Sequence, residues 1–205
     1  MTNPAPHRVS EVSHAAARSW RSWTAVSLLA AYGILTRSGR PGHREQALFA
    51  RVNDAGEQRW LRVPQQWGTP WTLPAVAAAA VAQRRIRYAA IVAACLPLIK
   101  GVEVVTKKRR ARPRPLYVQP TALRDDAPIE GGSMPSGHAA LAAAGAVVLA
   151  PLVPRPVRVA VAVLAGLSGF SRVHQGAHQP VDVVAGWLLG GGVGLAAVEL
   201  GRLIG

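Results

Sequence analysis

Six apolar stretches divide this chain, at residues 20–35, 71–82, 86–106, 138–153, 157–170 and 181–201. They restrict its possible folds more than any other feature. The runs are long and rich in Ala, Val and Leu, without apolar–polar alternation, so each is expected as a helix and not a strand. Several fall short of the ~20 residues that a membrane-crossing helix prefers. Hydropathy alone therefore also fits a soluble, alanine-rich bundle. Proline marks the ends: Pro151 and Pro154 stop the fourth stretch, and Pro180 suits the first turn of the sixth. Gly186, Gly190 and Gly194 recur every four residues in the sixth, a spacing that permits close helix–helix approach in a bilayer.

Charge helps to decide between bilayer and water. The formal net charge is +14, from 24 Lys and Arg against 10 Asp and Glu. An excess of that size directs a protein to nucleic acid or to an anionic membrane surface. Nucleic-acid binding calls for a basic stripe with stacking aromatics. Here aromatics are 5% of the chain, and Arg84, Arg85, Arg87, Arg155 and Arg158 flank apolar runs. That is the layout of a membrane protein with cationic loops, with no nucleic-acid partner. The chain is read as all-α: a polar tail over residues 1–19, then a six-helix transmembrane bundle over 20–205, multi-pass in the cell membrane. The first apolar run starts late and no clean small-residue cleavage site follows it, so it is read as a retained span. Cys95 is the sole cysteine, which excludes an intrachain disulfide.

With the N-terminus inside, Arg8, Arg18, Arg21, the 84–87 turn, Arg155, Arg158 and Arg202 fall on one side. The 36–70, 107–135 and 171–180 loops fall on the other. The last two are also basic, and their charges are assigned to chemistry. Within 36–70, "EQALFARVNDAGEQRWLRV" has an amphipathic pattern suited to the interface.

Three segments at helix ends carry the unusual residues. They are "KKRRARPRP" with Lys107 and Arg114, "PSGH" from Pro135 to His138, and "SRVHQGAHQPVD" with Ser171, Arg172, His178 and Asp182. Six spans bring all three to one membrane face. Guanidiniums bind phosphate oxygens in pairs and an ammonium acts as a point charge. Ser136 and Gly137 at a helix start add donors, although Ser136 also suits a plain capping role. His178 and Asp182, four apart at a helix entry, share a face. A carboxylate on Nδ1 would leave Nε2 as nucleophile or base. Acids do not cluster with the histidines, so a two-metal hydrolase is not indicated and no cofactor is expected. If the third helix continues, Lys100, Glu103 and Lys107 fall on one stripe, with Glu103 placed to position Lys107 or to neutralise Lys100.

The pattern K-x6-RP, PSGH, SR-x5-H-x3-D resembles the three-part signature of the type-2 phosphatidic-acid phosphatase superfamily, matched from Lys107 to Asp182. The resemblance implies a lipid phosphate as substrate and no metal. It implies that Lys107, Arg114, Ser136, Gly137 and Arg172 bind the phosphate oxygens. His178 then attacks phosphorus, Asp182 orients it and His138 protonates the leaving oxygen. His174 misses the family spacing. The family's vanadium haloperoxidase branch holds vanadate in the same pocket but is soluble and larger, and the apolar runs here resemble the lipid-phosphatase branch. A haloperoxidase-like enzyme, a phosphotransferase and a non-catalytic head-group binder remain alternatives. Candidate lipids are polyprenyl pyrophosphates, polyprenyl phosphosugar phosphates and glycerolipid phosphates. The 116–134 loop is expected to choose among them, with Arg124, Asp125 and Asp126 as its charged candidates.

Overall fold

Each of the six apolar stretches falls in a helix. In the computed structural model the helices are α1 (Pro6–Leu35), α2 (His43–Asn53), α3 (Arg62–Gln65), α4 (Thr72–Ala82), α5 (Ile86–Arg110), α6 (Gly137–Leu149), α7 (Arg155–His174) and α8 (Pro180–Ile204). Short 3-10 turns lie between several of them, and no strand occurs among the described residues. The structure describes residues 6–204 except Asp126, with side chains from Trp20 onward. The polar tail expected over 1–19 therefore lies outside the described side chains, and residues 1–5 outside the described backbone.

Segments Ile86–Tyr117, Arg155–His174 and Pro180–Ile204 each contain an 18-residue stretch, of mean hydropathy 1.8, 1.3 and 1.7, and are long and apolar enough to cross a membrane. Thr72–Ala82 and Gly137–Leu152 are apolar but shorter. Among the described residues, three of the six expected spans thus reach that length. The amphipathic part of the 36–70 loop supplies α2, which buries Phe49 and Asn53.

α6 is apolar on every side, and such a helix belongs inside. Ala139, Ala140, Leu141, Ala142, Ala144 and Val148 are all buried. It packs most extensively on α8, and also on α7, α4 and α5. The glycine row of α8 makes this contact possible. A Cβ on Gly186 would run into the Ser136 carbonyl, one on Gly190 into the Ala140 carbonyl, and one on Gly194 would lie 2.9 Å from Val147 Cβ. The two backbones touch, as small-residue spacing allows in lipid. Gly192 turns the other way, onto Leu29 of α1.

This contact predicts a contrast. A Cβ at Gly166 of α7 meets nothing within 4 Å, so Gly166→Ala should leave thermal stability in detergent unchanged or raise it, by up to ~1 kcal/mol of helix propensity. Gly190→Ala should lower the unfolding temperature by several degrees, because backbone cannot yield as a flexible side chain can. Equal melting of the two variants would remove the α6–α8 contact from its central role.

Candidate active site

Helix direction brings the three motif segments together. At one end of the bundle the α4–α5 turn, the end of α6 and the end of α8 meet: Arg85 Nη1 donates to the Pro151 carbonyl at 3.3 Å and Arg87 Nη1 to the Ile204 carbonyl at 2.8 Å. The other end therefore collects the last turns of α5 and α7 and the first turns of α6 and α8. There a cavity of about 280 Å³ is lined by Lys107, Arg114, Gly137, His138, Arg172 and His178, together with Lys100 and Glu103. A larger cavity of about 560 Å³ at the opposite end is lined by Arg84, Arg85, Arg87 and Arg202 and contains no motif residue.

Each group is held from behind. Arg114 Nε donates to the Glu130 carbonyl at 2.8 Å and its Nη1 to the Ala177 carbonyl at 2.9 Å. Arg172 Nη1 donates to Gln175 Oε1 at 2.6 Å, and Gln175 in turn donates to Gln65 and to Asp125 Oδ2. Gly176, at φ +78°, takes the left-handed conformation that ends α7. The chain then folds over Arg172, whose carbonyl accepts the Ala177 and His178 amides at 3.1 and 3.2 Å. Ser136 caps α6 in an extended conformation, its Oγ accepting the Ala139 amide at 3.5 Å. It is fully buried and does not line the cavity. The Ser136 amide donates to the Asp182 carbonyl at 2.9 Å, which ties the PSGH turn to α8.

His178 Nδ1 lies 3.8 Å from Asp182 Oδ2, adjacent but longer than a hydrogen bond. That oxygen accepts the Gln179 amide at 2.8 Å. Catalytic hydrogen bonds often close only when substrate is in place. Burial first, then the charges of Lys107, Arg172 and Arg114, hold the His178 imidazole well below the ordinary histidine pKa. The ring is thereby held in its neutral form.

Glu103 sits where the stripe places it and serves both lysines. Its Oε1 accepts from Lys107 Nζ at 2.7 Å and its Oε2 from Lys100 Nζ at 2.6 Å. The carboxylate is pressed against the start of α6, 2.5 Å from where a Cβ on Gly137 would stand. His174 is buried outside the cavity, with Nε2 2.7 Å from the Gly56 carbonyl. The loop candidates turn out to brace and not to line. Arg124 Nη1 donates to the His174 carbonyl at 2.7 Å, and Asp125 pairs with Arg62 at 2.6 Å. The 116–134 loop reaches the cavity through Pro128, and Asp126 lies outside the described residues. Gly68 and Pro70, from the 36–70 loop, also line it without any signal in the sequence. Arg112 was likewise missed: its side chain is fully buried, 3.3 Å from Asp182 Oδ1 and 2.6 Å from Glu45 Oε2. Among the described residues no three His, Cys, Asp or Glu side chains group as metal ligands.

A cationic cradle with two histidines, at the head of a helical bundle with membrane-spanning segments, is the kind of site that receives a phosphate from a lipid surface. The chain belongs to the PAP2 superfamily, which it matches over residues 86–202. It is 35% identical over 118 residues to an undecaprenyl-diphosphatase of Sulfolobus acidocaldarius. That match spans 57% of this chain and 56% of the relative, so the chain covers little more than half of the curated relative's length. The fold is similar to the transmembrane PAP2-type phosphatidylglycerolphosphate phosphatase of Bacillus subtilis, with a TM-score of 0.72, 21% identity, and coverage of 89% of this chain and 98% of that one. It is also similar to Aquifex aeolicus LpxE, with a TM-score of 0.63, 23% identity, and coverage of 75% and 93%.

The Glu103 geometry predicts coupling in anion binding. Orthovanadate affinity, measured by calorimetry, should fall in Glu103→Gln and in Lys107→Met. In the double variant the Glu103 effect should largely vanish, giving an interaction energy of roughly 0.5–3 kcal/mol. Additive losses would mean that Glu103 does not act through Lys107.

Proposed function

We propose that the protein is an integral membrane phosphatase. In this reading it hydrolyses the phosphomonoester or pyrophosphate of a lipid carrier, polyprenyl or glycerolipid, through a phosphohistidine. The observation that carries the reading is the meeting of Lys107, Arg114, Arg172, His138 and His178 around one cavity at the start of α6. The relative's name, undecaprenyl-diphosphatase, favours a polyprenyl pyrophosphate among the candidate lipids.

Lys107, Arg114, Arg172 and the Gly137 amide hold the phosphate oxygens, and Ser136 sets that amide by capping the helix. His178 Nε2 attacks phosphorus in line. A P–N bond forms as the P–O bond to the leaving group breaks, and His138 gives its proton to the departing oxygen. Asp182 orients His178 and stabilises the positive ring that results. His138 then takes a proton from water, which attacks phosphorus and releases phosphate and neutral His178. Cations around the equatorial oxygens stabilise the transition state. The same cations do the work of a divalent ion, so the reaction is read as metal-independent.

Turnover of a lipid pyrophosphate should survive EDTA, be inhibited by orthovanadate and vanish in His178→Ala. Loss in EDTA with rescue by magnesium would refute the metal-free mechanism. The pH profile follows from the neutral imidazole. Protonation destroys the nucleophile, so kcat/KM falls as pH drops through the His178 pKa. Because that pKa is depressed, the acid limb should lie below the ordinary value of ~6.5. A limb above pH 7 assignable to His178 would contradict the site's electrostatics.

We further read all six apolar helices as crossing the membrane, with the site on the extracytoplasmic face. The arginines of the 84–87 and 155–158 turns support this orientation. Single cysteines at Leu123 and Arg85, in a Cys95→Ala background, should label oppositely with an impermeant reagent on intact cells: Leu123→Cys reacts and Arg85→Cys does not. The reverse pattern inverts the topology.

A further inference from the structure

On the far side of Asp182 from the cavity lies an ion cluster that reaches beyond the family match. Arg112 is fully buried. Its Nη2 donates to Glu45 Oε2 at 2.6 Å and its Nε stands 3.3 Å from Asp182 Oδ1. The other Glu45 oxygen accepts the Val181 amide at 3.1 Å. Val181 is the second residue of α8, so Glu45 also satisfies a backbone donor of the helix that carries Asp182. Glu45 itself stands on α2, outside residues 86–202.

The arrangement distributes charge. A buried guanidinium facing Asp182 alone would draw that carboxylate away from His178, whose Nδ1 competes for it from the other side. A second carboxylate on the same guanidinium weakens this pull and fixes the guanidinium's orientation. Burial raises the Glu45 carboxyl above its ordinary value even against Arg112. The Arg112 guanidinium and the Val181 amide act against that rise.

We propose that Glu45 is a positioning residue for the reaction: acting through Arg112, it sets how Asp182 is presented to His178. The proposal rests on the phosphatase reading above. Glu45→Gln keeps an acceptor for the Val181 amide but removes the charge, and Glu45→Asp keeps the charge with a shorter reach.

The experiment compares kcat and KM of the full-length enzyme in detergent with a lipid pyrophosphate. The variants are Glu45→Gln and Glu45→Asp in the native chain, and Glu45→Gln in an Asp182→Asn background. Glu45→Gln should lower kcat about tenfold or more, the scale on which partners of catalytic groups act, with KM changed less than about twofold. Glu45→Asp should fall between it and the native enzyme. Once Asp182 is gone, Glu45→Gln should change kcat by less than about twofold. The proposal is overturned if Glu45→Gln leaves kcat unchanged, if it raises KM alone, or if it costs the same factor in both backgrounds. Should Glu45→Gln not fold, Glu45→Asp carries the test: a lowered kcat at native KM supports the proposal and a native kcat overturns it. A native chain no more active than His178→Ala overturns the phosphatase reading and this proposal with it. An active native chain with an indifferent Glu45 overturns this proposal alone.

Discussion

The Ser136 amide reaches the Asp182 carbonyl because Gly186 and Gly190 let the backbones of α6 and α8 touch. That contact sets two helix N-termini side by side, each with a positive dipole end. The antiparallel neighbours α5 and α7 bring their C-terminal ends to the same level. Helix polarity then sorts the chemistry. The last turn of α5 carries Lys107 and that of α7 carries Arg172, where cations are favoured. The first turn of α8 carries Asp182, where an anion is favoured. The start of α6 carries Ser136 and Gly137, whose small side chains leave room before the amides. Cations, donors and carboxylate each stand on the helix end that stabilises them.

Gathering so many cations in a buried place is costly unless each has a partner. Two carboxylates meet this need, Glu103 read from its helical stripe and Glu45 without any signal in the sequence. Glu103 stands between Lys100 and Lys107, and Glu45 stands beside Arg112. Arg114 is held instead by main-chain carbonyls, which orient a guanidinium without cancelling its charge. The cavity thus keeps a positive potential while Lys107 and Arg114 are each held by a partner. After burial, the same cations hold the His178 imidazole below its ordinary pKa.

What the sequence disclosed was local. The spacing from Lys107 to Arg114 and from Arg172 to His178 and Asp182 is carried by single segments, and helix direction alone brings those segments to one end. The glycine period of α8 announced a close neighbour, though not that the neighbour was α6. What stayed hidden depends on tertiary partners. Arg112 follows Arg109 and Arg110 in one basic run, yet those two are exposed while Arg112 is buried. Its partners distinguish it: Glu45, 67 residues away, and Asp182. Arg124 and Asp125 looked like head-group contacts because a charged loop near a site has two uses, and here the charges brace Arg172 and α7. Gly68 and Pro70 reach the cavity on a loop whose return path no periodicity encodes.

The shortness of α6 joins hydropathy to chemistry. Thirteen helical residues rise ~20 Å, less than the ~30 Å of a bilayer's hydrocarbon core, although no residue of α6 is exposed. Its neighbour α5 has 25 residues, or ~37 Å, and both helices reach the end marked by Arg85 and Pro151. Gly137 accordingly meets α5 at Glu103, below its last turn, and not at its tip. Lys107 and the loop beyond it stand above that level and wall the cavity on the outer side. The start of α6 is then sunk beneath the bundle's rim, level with the apolar flanks of α5. That depth suits a phosphate whose own tail remains in lipid, and a site raised to the tip of a full-length helix would lose it.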